Sequence, residues 1–340
     1  MNILRIAALA LLTAALAPAQ EKTAADGPKE GSLTTFLKSD ATDTATKLAA
    51  IEQVQFSHRA DTTALLFMVQ YGSRVKMERT YYPANTSDHE MIPCALFTPT
   101  DMKPGTKRPG LLIVHGGLHE FLDWRFFRLI VAAVEHGYAV IFPEYHGSMG
   151  YGEAIYNNTY GVTDVADIFA AADFLATKDY VDASRIGLIG HSRGGMGTVL
   201  CLEQQPKRFQ AAVTICPLLD FIAYMAYKPD TRRAEIAREA HFGGKLPDKN
   251  LPAYLDISPI NFVKKIETPL LAVATTGDKI VPVSLNTERF VDLLKAHNKV
   301  YDSKIYENAP GGHVFLFGDS PETADAFKRS FDWLGKYLKP

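Results

Sequence analysis

One short stretch, residues 185–197, limits what this chain can fold into more than any other. It opens with the apolar run Ile186–Ile189, whose length and composition are typical of a buried parallel strand. Glycines then surround Ser192, and apolar residues at helical spacing follow over 196–202. A strand-to-helix turn this tight requires residues without a Cβ beside the serine, and it holds the hydroxyl at the carboxyl edge of a sheet. The alternative is an ordinary glycine-rich turn that contains a serine.

From Gly110 onward, short apolar strands alternate with amphipathic helices. Strands are predicted at 111–114, 138–142, 186–189, 211–215, 270–275 and 300–306, and helices at 126–136, 163–176, 283–297 and 321–338. This alternation predicts the α/β class, with a doubly wound and mostly parallel sheet. The pattern breaks between Pro217 and about Lys265. We expect a helical insertion there, over the carboxyl edge of the sheet.

The first nineteen residues are expected to be a signal peptide. Arg5 supplies a positive charge, Ile6–Leu16 is apolar but too short to span a bilayer, and Ala17–Ala19 is a typical cleavage site. We expect cleavage after Ala19 and export to a periplasmic or extracellular space, with no membrane contact afterwards. The alternative is an uncleaved membrane anchor. Residues 20–74 are interpreted as a leader and a helical segment, and residues 75–340 as one domain that opens with strands at 75–82 and 91–97.

The overall composition excludes some classes of partner. The chain has 340 residues, of which 36 are basic and 38 acidic, and the basic residues form no long run. Nucleic acid is therefore not an expected partner. Cys94, Cys201 and Cys216 lie in apolar segments, which favours small buried core residues over a disulfide framework. No cysteine has metal-ligand spacing with the histidines, so no metal is expected.

Two other residues follow predicted strands in the order that serine catalysis needs. A serine hydroxyl becomes a good nucleophile when a base takes its proton, and the base needs a partner that fixes its tautomer. Asp278 follows the strand at 270–275, and His313 follows the last predicted strand. Taken singly, Asp278 could be a helix cap and His313 a loop residue. The order Ser192, Asp278, His313 at successive strand ends favours a catalytic triad.

An oxyanion hole also has candidates in the sequence. One donor should be the backbone N–H of Arg193, which directly follows the serine. The second should come from the loop after the strand that ends at Val114, where the sequence is His115-Gly116-Gly117. Since glycine lets the backbone approach a substrate closely, we assign the N–H of Gly117. The alternative is a plain turn between a strand and a helix.

Several of these motifs together resemble the catalytic domain of the prolyl oligopeptidase family of serine peptidases. They are His-Gly-Gly at 115–117, Tyr-x-Gly-Ser-x-Gly-Tyr-Gly at 145–152, Tyr-Val-Asp-x-x-Arg-Ile-Gly-x-x-Gly-x-Ser-x-Gly-Gly at 180–195, Asp-x-x-Val-Pro at 278–282 and Gly-His at 312–313. The resemblance runs from about Lys107 to the end of the sequence. It implies an α/β-hydrolase fold, the triad Ser192, Asp278 and His313, and hydrolysis through an acyl-enzyme without a cofactor.

Two departures from the family pattern bear on specificity, and three functions stay open. Members of that family carry an N-terminal β-propeller, which we expect to be lacking here, and Arg193 stands where the family often has an aromatic residue. The first hypothesis is a serine peptidase of prolyl oligopeptidase type that acts on short peptides. The second is a secreted carboxylesterase with the same triad, and the third is a non-catalytic binding protein on the same scaffold. The expected partner is a short peptide or another small substrate.

Overall fold

A computed structural model of the protein describes residue 39 and residues 43–85, 90–117, 119–157 and 159–340. The chain divides into two compact units, residues 1–54 and 55–340. Helix α1 spans Thr44–Tyr71. The predicted signal peptide, residues 1–19, lies outside the described residues, so its cleavage and the export of the protein stay predictions.

The second unit is built around a sheet of eight strands. They are β1 (Val75–Pro83), β2 (Met91–Pro99), β3 (Arg108–Val114), β4 (Ala139–Pro143), β5 (Val181–His191), β6 (Ala211–Ile215), β7 (Leu270–Thr275) and β8 (Tyr301–Tyr306). Their spatial order is β1-β2-β4-β3-β5-β6-β7-β8. The β1–β2 and β2–β4 pairs are antiparallel, and the five pairs from β4–β3 to β7–β8 are parallel. The predicted α/β class with a mostly parallel sheet is confirmed.

Helices cover both faces of this sheet. The helices that follow α1 along the chain are α2 (Phe127–Glu135), α3 (Glu153–Tyr156), α4 (Thr163–Ala176), α5 (Arg193–Gln204), α6 (Phe221–Tyr227), α7 (Asp230–Ala237), α8 (Leu251–Asp256), α9 (Thr287–Ala296) and α10 (Pro321–Leu338). Apolar residues of α4, α5 and α9 pack with Leu112 on one face. Those of α2 and α10 pack with Leu111 and Ile113 on the other. Central strands covered on both faces read as continuous apolar runs, which is why the sequence reveals them.

The insertion between β6 and β7 contains helices α6, α7 and α8. The Asp220 side chain caps α6 by accepting the backbone N–H of Ala223 at 2.9 Å. Phe242 and Tyr254 stack with ring centroids 4.3 Å apart, are both fully buried and belong to the same apolar core as Leu112. Residues of α6 and α7 border the same cleft as Ser192 at the carboxyl edge of the sheet.

Two predicted elements differ from those observed. The helix expected at 283–297 is a short 3-10 turn (Val283–Leu285) followed by α9, because Asn286 adopts a non-helical conformation. Its side-chain oxygen accepts the backbone N–H groups of Leu219 and Asp220 at 2.9 and 3.0 Å, a tertiary contact that no local pattern reveals. Strand β5 begins at Val181, five residues before the apolar run, since its polar first half pairs with β3 ahead of a shift in register.

The three cysteines, Cys94, Cys201 and Cys216, are buried, as the apolar segments around them predict, and none of the three forms a disulfide. Across the described ranges, none of the helices is at once long enough and apolar enough to cross a membrane.

Candidate active site

Ser192 lies in the turn between β5 and α5 with a strained backbone. Its φ and ψ angles are 57° and −120°, a conformation that residues with side chains rarely adopt. The two flanking glycines allow the turn to close. A Cβ on Gly190 would lie 2.2 Å from the carbonyl oxygen of Gly194, and a Cβ on Gly194 would lie 2.2 Å from that of Val114. The glycines that the sequence pattern singles out are therefore required by close backbone contacts on both sides of the serine.

The structure brings Ser192, His313 and Asp278 together. His313 Nε2 lies 2.9 Å from Ser192 Oγ, and His313 Nδ1 lies 2.7 Å from Asp278 Oδ2. A carboxylate accepts hydrogen bonds, so Nδ1 carries a proton and Nε2 of the neutral ring is the acceptor that faces the serine hydroxyl. These positions follow from topology, because β5, β7 and β8 are parallel and their carboxyl ends meet at one edge.

Asp278 is held by backbone N–H groups and lies near a cysteine. Its Oδ1 accepts the N–H groups of Ile280 and Val281, both at 2.8 Å, which fixes the plane of the carboxylate. The Sγ of Cys216, directly after β6, lies within 4.8 Å of a carboxylate oxygen of Asp278, and burial raises the pKa of that thiol well above its ordinary value. The buried cysteine that the sequence places in the core therefore lies beside the carboxylate of the site.

Among the described residues, one group has side chains that could hold a metal ion, namely Cys216, Asp278 and His313. Ligand atoms of Cys216, Asp278 and His313 all lie within 4.8 Å of one another. The 2.7 Å contact between His313 and Asp278 already occupies two of these atoms with a hydrogen bond. A metal would have to open that contact and deprotonate a thiol whose pKa is raised. The cluster therefore fits a hydrogen-bonded pair better than a metal centre.

The loop after β3 lies directly against the serine turn. A Cβ on Gly116 would sit 2.8 Å from Ser192 Cβ, so only glycine permits this approach. Gly117 has a φ of +75° and borders the same cleft as Ser192 and Arg193. Arg193 begins α5, and the first N–H groups of a helix have no partner within it. Both predicted oxyanion residues thus lie beside the serine.

The side chain of Arg193 is buried in an ion pair that the sequence does not reveal. Its Nη2 lies 3.0 Å from Asp164 Oδ2, and the two side chains are only 6% and 3% exposed. The guanidinium also lies over the rings of Tyr160 and Tyr145, at 4.4 and 5.2 Å from their centroids. Its Nη1 donates to the carbonyl of Gly117 at 3.4 Å. Arg193 therefore links the serine helix to the loop after β3.

His191 supports the backbone of His313 through a hydrogen bond. Its Nε2 donates to the carbonyl oxygen of His313 at 2.9 Å, which requires the proton on Nε2. Burial and the neighbouring His313 lower the pKa of His191 to about 3, so this ring stays neutral at physiological pH. The sequence gives only one signal for this role, namely the position of His191 next to the serine.

A buried polar network lies beneath the loop after β3. His115 Nε2 is 2.9 Å from Ser148 Oγ and 3.6 Å from Glu144 Oε2, and Glu144 Oε1 accepts the N–H of Leu122 at 2.9 Å. Burial lowers the pKa of His115 to about 3 and raises that of Glu144 to about 8. Both groups are thus neutral near pH 7, and together they tie the loop at 115–122 to the motif at 145–152.

Ser192 and His313 border a cleft of about 230 Å³. The described residues that line it also include the two oxyanion candidates, Gly117 and Arg193, and apolar residues of the insertion. A sheet of this order, a serine at the sharp turn after β5, and a histidine and an aspartate after the last two strands define the α/β-hydrolase fold.

Within this class, the chain belongs to the prolyl oligopeptidase family, whose model matches residues 124–340. The matched region contains Ser192, Asp278 and His313, whereas Gly117 lies before it. The predicted family resemblance is thereby confirmed.

Curated relatives agree with this assignment, and a solved structure shares the fold. The acylamino-acid-releasing enzyme of Arabidopsis thaliana is 29% identical over 238 residues, which are 68% of this chain and 30% of that protein. Dipeptidyl-peptidase 5 of Porphyromonas endodontalis is 26% identical over 265 residues, which are 75% of this chain and 37% of that protein. The chain thus spans about a third of the length of these curated relatives. The Pyrococcus horikoshii acylaminoacyl peptidase shares the fold, with a TM-score of 0.68 and 22% identity over 80% of this chain and 43% of that one.

Proposed function

We propose that the protein is a serine hydrolase that cleaves short peptides through an acyl-enzyme intermediate. The observation that carries the proposal is the pair of hydrogen bonds from Ser192 to His313 and from His313 to Asp278, at 2.9 and 2.7 Å. In this proposal Ser192 is the nucleophile, His313 the general base and Asp278 the group that orients the base.

In the first half of the reaction, His313 Nε2 takes the hydroxyl proton as Ser192 Oγ bonds to the carbonyl carbon of the substrate. The negative charge that develops on the carbonyl oxygen is stabilised by the backbone N–H groups of Gly117 and Arg193. His313 then gives the proton to the leaving nitrogen, the carbon–nitrogen bond breaks, and an ester on Ser192 remains. A water molecule repeats the sequence, with His313 again as base, and releases the acid.

The relatives favour peptides over simple esters as substrates. The Arabidopsis and Porphyromonas proteins are named for releasing acylamino acids and for dipeptidyl-peptidase action. An amide leaving group also needs protonation, for which His313 is positioned by Asp278. A carboxylesterase with the same triad is the second candidate, since this machinery also transfers acyl groups from esters.

Labelling with a fluorophosphonate probe tests the nucleophile. We expect covalent labelling of Ser192 in the native protein, and no labelling in Ser192→Ala. Strongly reduced labelling is expected in His313→Ala, because the proton acceptor is gone. Ser184→Ala is the matched control. Ser184 lies on β5, the strand that precedes Ser192, but its hydroxyl donates a hydrogen bond to the exposed carboxylate of Asp182. An unlabelled native protein would leave only the binding-protein hypothesis.

A comparison of leaving groups then separates the peptidase from the esterase. The native protein is assayed with aminoacyl p-nitroanilides and with p-nitrophenyl acetate. Hydrolysis of the anilides that disappears in Ser192→Ala supports the peptidase. Rapid ester turnover with no anilide cleavage would instead assign the protein as a carboxylesterase.

A further inference from the structure

The cleft beside Ser192 has an apolar wall that comes largely from the insertion. Phe221 and Tyr224 of α6 and Ile236 of α7 line it, together with Leu218 and Val281. All five are buried, so this wall is preformed and water has limited access to it. A charged group that reaches this wall interacts more strongly than it would in bulk water.

Three arginines also line the cleft, and two of them are already neutralised. Arg193 is paired with Asp164 at 3.0 Å in a contact shielded from solvent. Arg125 is paired with Asp123 at 2.8 Å and lies 3.6 Å from Glu120. Neither guanidinium therefore offers an uncompensated positive charge to a substrate.

Arg232 on α7 is the third, and its ion pair is weak. Its partner Glu235, at 2.6 Å, is 57% exposed and lies one helical turn away on the same helix. Exposed pairs of this kind contribute little to stability because water screens both charges. Tyr224 lies beside the same guanidinium, and both side chains line the cleft. A guanidinium has five N–H donors, so these two contacts are compatible with a bound carboxylate.

Charges of opposite sign border the cleft. Glu120 lies beside Gly117, where its carboxyl group packs against the glycine. Lys228 donates to the carbonyl of Ile280, and burial together with the positive charge of the neighbouring Arg232 lowers the pKa of Lys228. An acidic group is thus repelled by Glu120 and attracted by Arg232.

We infer that the cleft selects substrates with an acidic side chain on the residue whose carbonyl is attacked, and that Arg232 binds this carboxylate. The inference rests on the proposed serine hydrolase function. Tyr224 and the apolar wall contact the methylene groups of the side chain, and the guanidinium contacts its carboxylate. Arg232 is therefore a specificity-determining residue, whereas Arg193 and Arg125 are structural cations.

The test compares two diphenyl phosphonates whose side chains are those of glutamate and glutamine. Ser192 Oγ bonds to phosphorus, the bond to one phenoxide breaks, and phenol leaves with the serine proton. The second-order inactivation rates of the native protein are expected to favour the glutamyl probe by about 10- to 100-fold, the value of a charge-assisted hydrogen bond. In Arg232→Gln this ratio should fall to about 1, because the shorter, neutral amide brings no positive charge to the carboxylate.

Arg233→Gln is the matched control. Arg233 is on the same helix, pairs with Asp230 at 3.1 Å and has a similar exposure of 32%, but it does not border the cleft. Its glutamyl preference should equal that of the native protein, with circular dichroism to show that both variants fold. Equal rates for the two probes in the native protein, a preference that survives in Arg232→Gln, or no reaction with either probe while a fluorophosphonate labels Ser192 would each overturn the inference. A native protein that the fluorophosphonate does not label overturns the proposed function instead.

Discussion

Replacing Asp164 by asparagine tests whether the buried ion pair beside Ser192 is a structural requirement. The substitution keeps the size of the side chain and one acceptor oxygen but removes the charge. The guanidinium of Arg193 stays in place, since it is enclosed between Tyr145 and Tyr160. Asp164→Asn therefore leaves a buried cation without its counter-charge.

The expected cost follows from the burial of the pair. Both side chains are less than 10% exposed, and removing one partner of such a pair costs about 3–5 kcal/mol. The rings of Tyr145 and Tyr160 offset part of this, since a desolvated cation–π contact is worth about 2 kcal/mol. We therefore expect Asp164→Asn to lower the free energy of unfolding by about 3 kcal/mol, at the lower end of the range.

A double-mutant cycle isolates the pair from other effects. Asp164→Asn, Arg193→Met and the double variant are unfolded in urea at neutral pH. Because the double variant has neither charge, it should recover most of the loss, with a coupling energy of at least about 2 kcal/mol. Asp173→Asn is the matched control on the same helix. Asp173 pairs with Arg208 at 2.6 Å but is 63% exposed, so its loss should cost less than about 1 kcal/mol.

Two results would refute this reasoning. A cost for Asp164→Asn no larger than that for Asp173→Asn would show that burial does not strengthen the pair. A double variant as unstable as the sum of the single variants would show that the two side chains act independently.

Two further substitutions probe buried carboxyl groups. Burial raises the pKa of Glu144 from 4.5 to about 8, so its contribution to stability is complete below pH 4.5 and is lost as pH rises through 8. Glu144→Gln should remove a fall in the free energy of unfolding of up to about 1.4 kcal/mol per pH unit between these limits. Urea unfolding at several pH values checks this, and a free energy of unfolding that falls with pH as steeply in the variant as in the native protein would contradict it. Glu203 is buried, burial raises its pKa, and neither carboxyl oxygen has a hydrogen-bond partner in the part of the chain that is described. Glu203→Met should therefore stabilise the protein by about 1–3 kcal/mol, and a lowered melting temperature would refute it.

Much of the fold could be predicted because its determinants are local. The central strands are continuous apolar runs, and β6, β7 and α4 have the predicted bounds. The turn around Ser192 could be recognised because Gly190 and Gly194 are required by contacts within a few residues of the serine or with the adjacent strand. The meeting of the serine, aspartate and histidine then follows from strand order, since the ends of parallel strands share one edge.

The parts that could not be predicted depend on contacts between distant residues. Arg193 and Asp164 are 29 positions apart, and neither has a local pattern that names the other. Asn286 interrupts a well-patterned helix in order to bind the backbone after β6, 66 residues or more away. The polar start of β5 becomes a strand only through its pairing with β3. In each case the competing term is a tertiary hydrogen bond or ion pair, which periodicity does not encode.

The cations around the cleft have different physical roles because their counter-charges differ in exposure. Asp164 lies in the first turn of α4, where the helix dipole favours a negative charge, so the pair with Arg193 is supported from both sides. In the proposed reaction, stabilisation of a developing oxyanion therefore depends on backbone N–H groups, because the guanidinium charge beside them is already balanced. Arg232 has a counter-charge in solvent, which a substrate can replace. Loss of the Asp164 charge should thus appear in the free energy of unfolding, and loss of the Arg232 charge in the choice between acidic and neutral acyl groups.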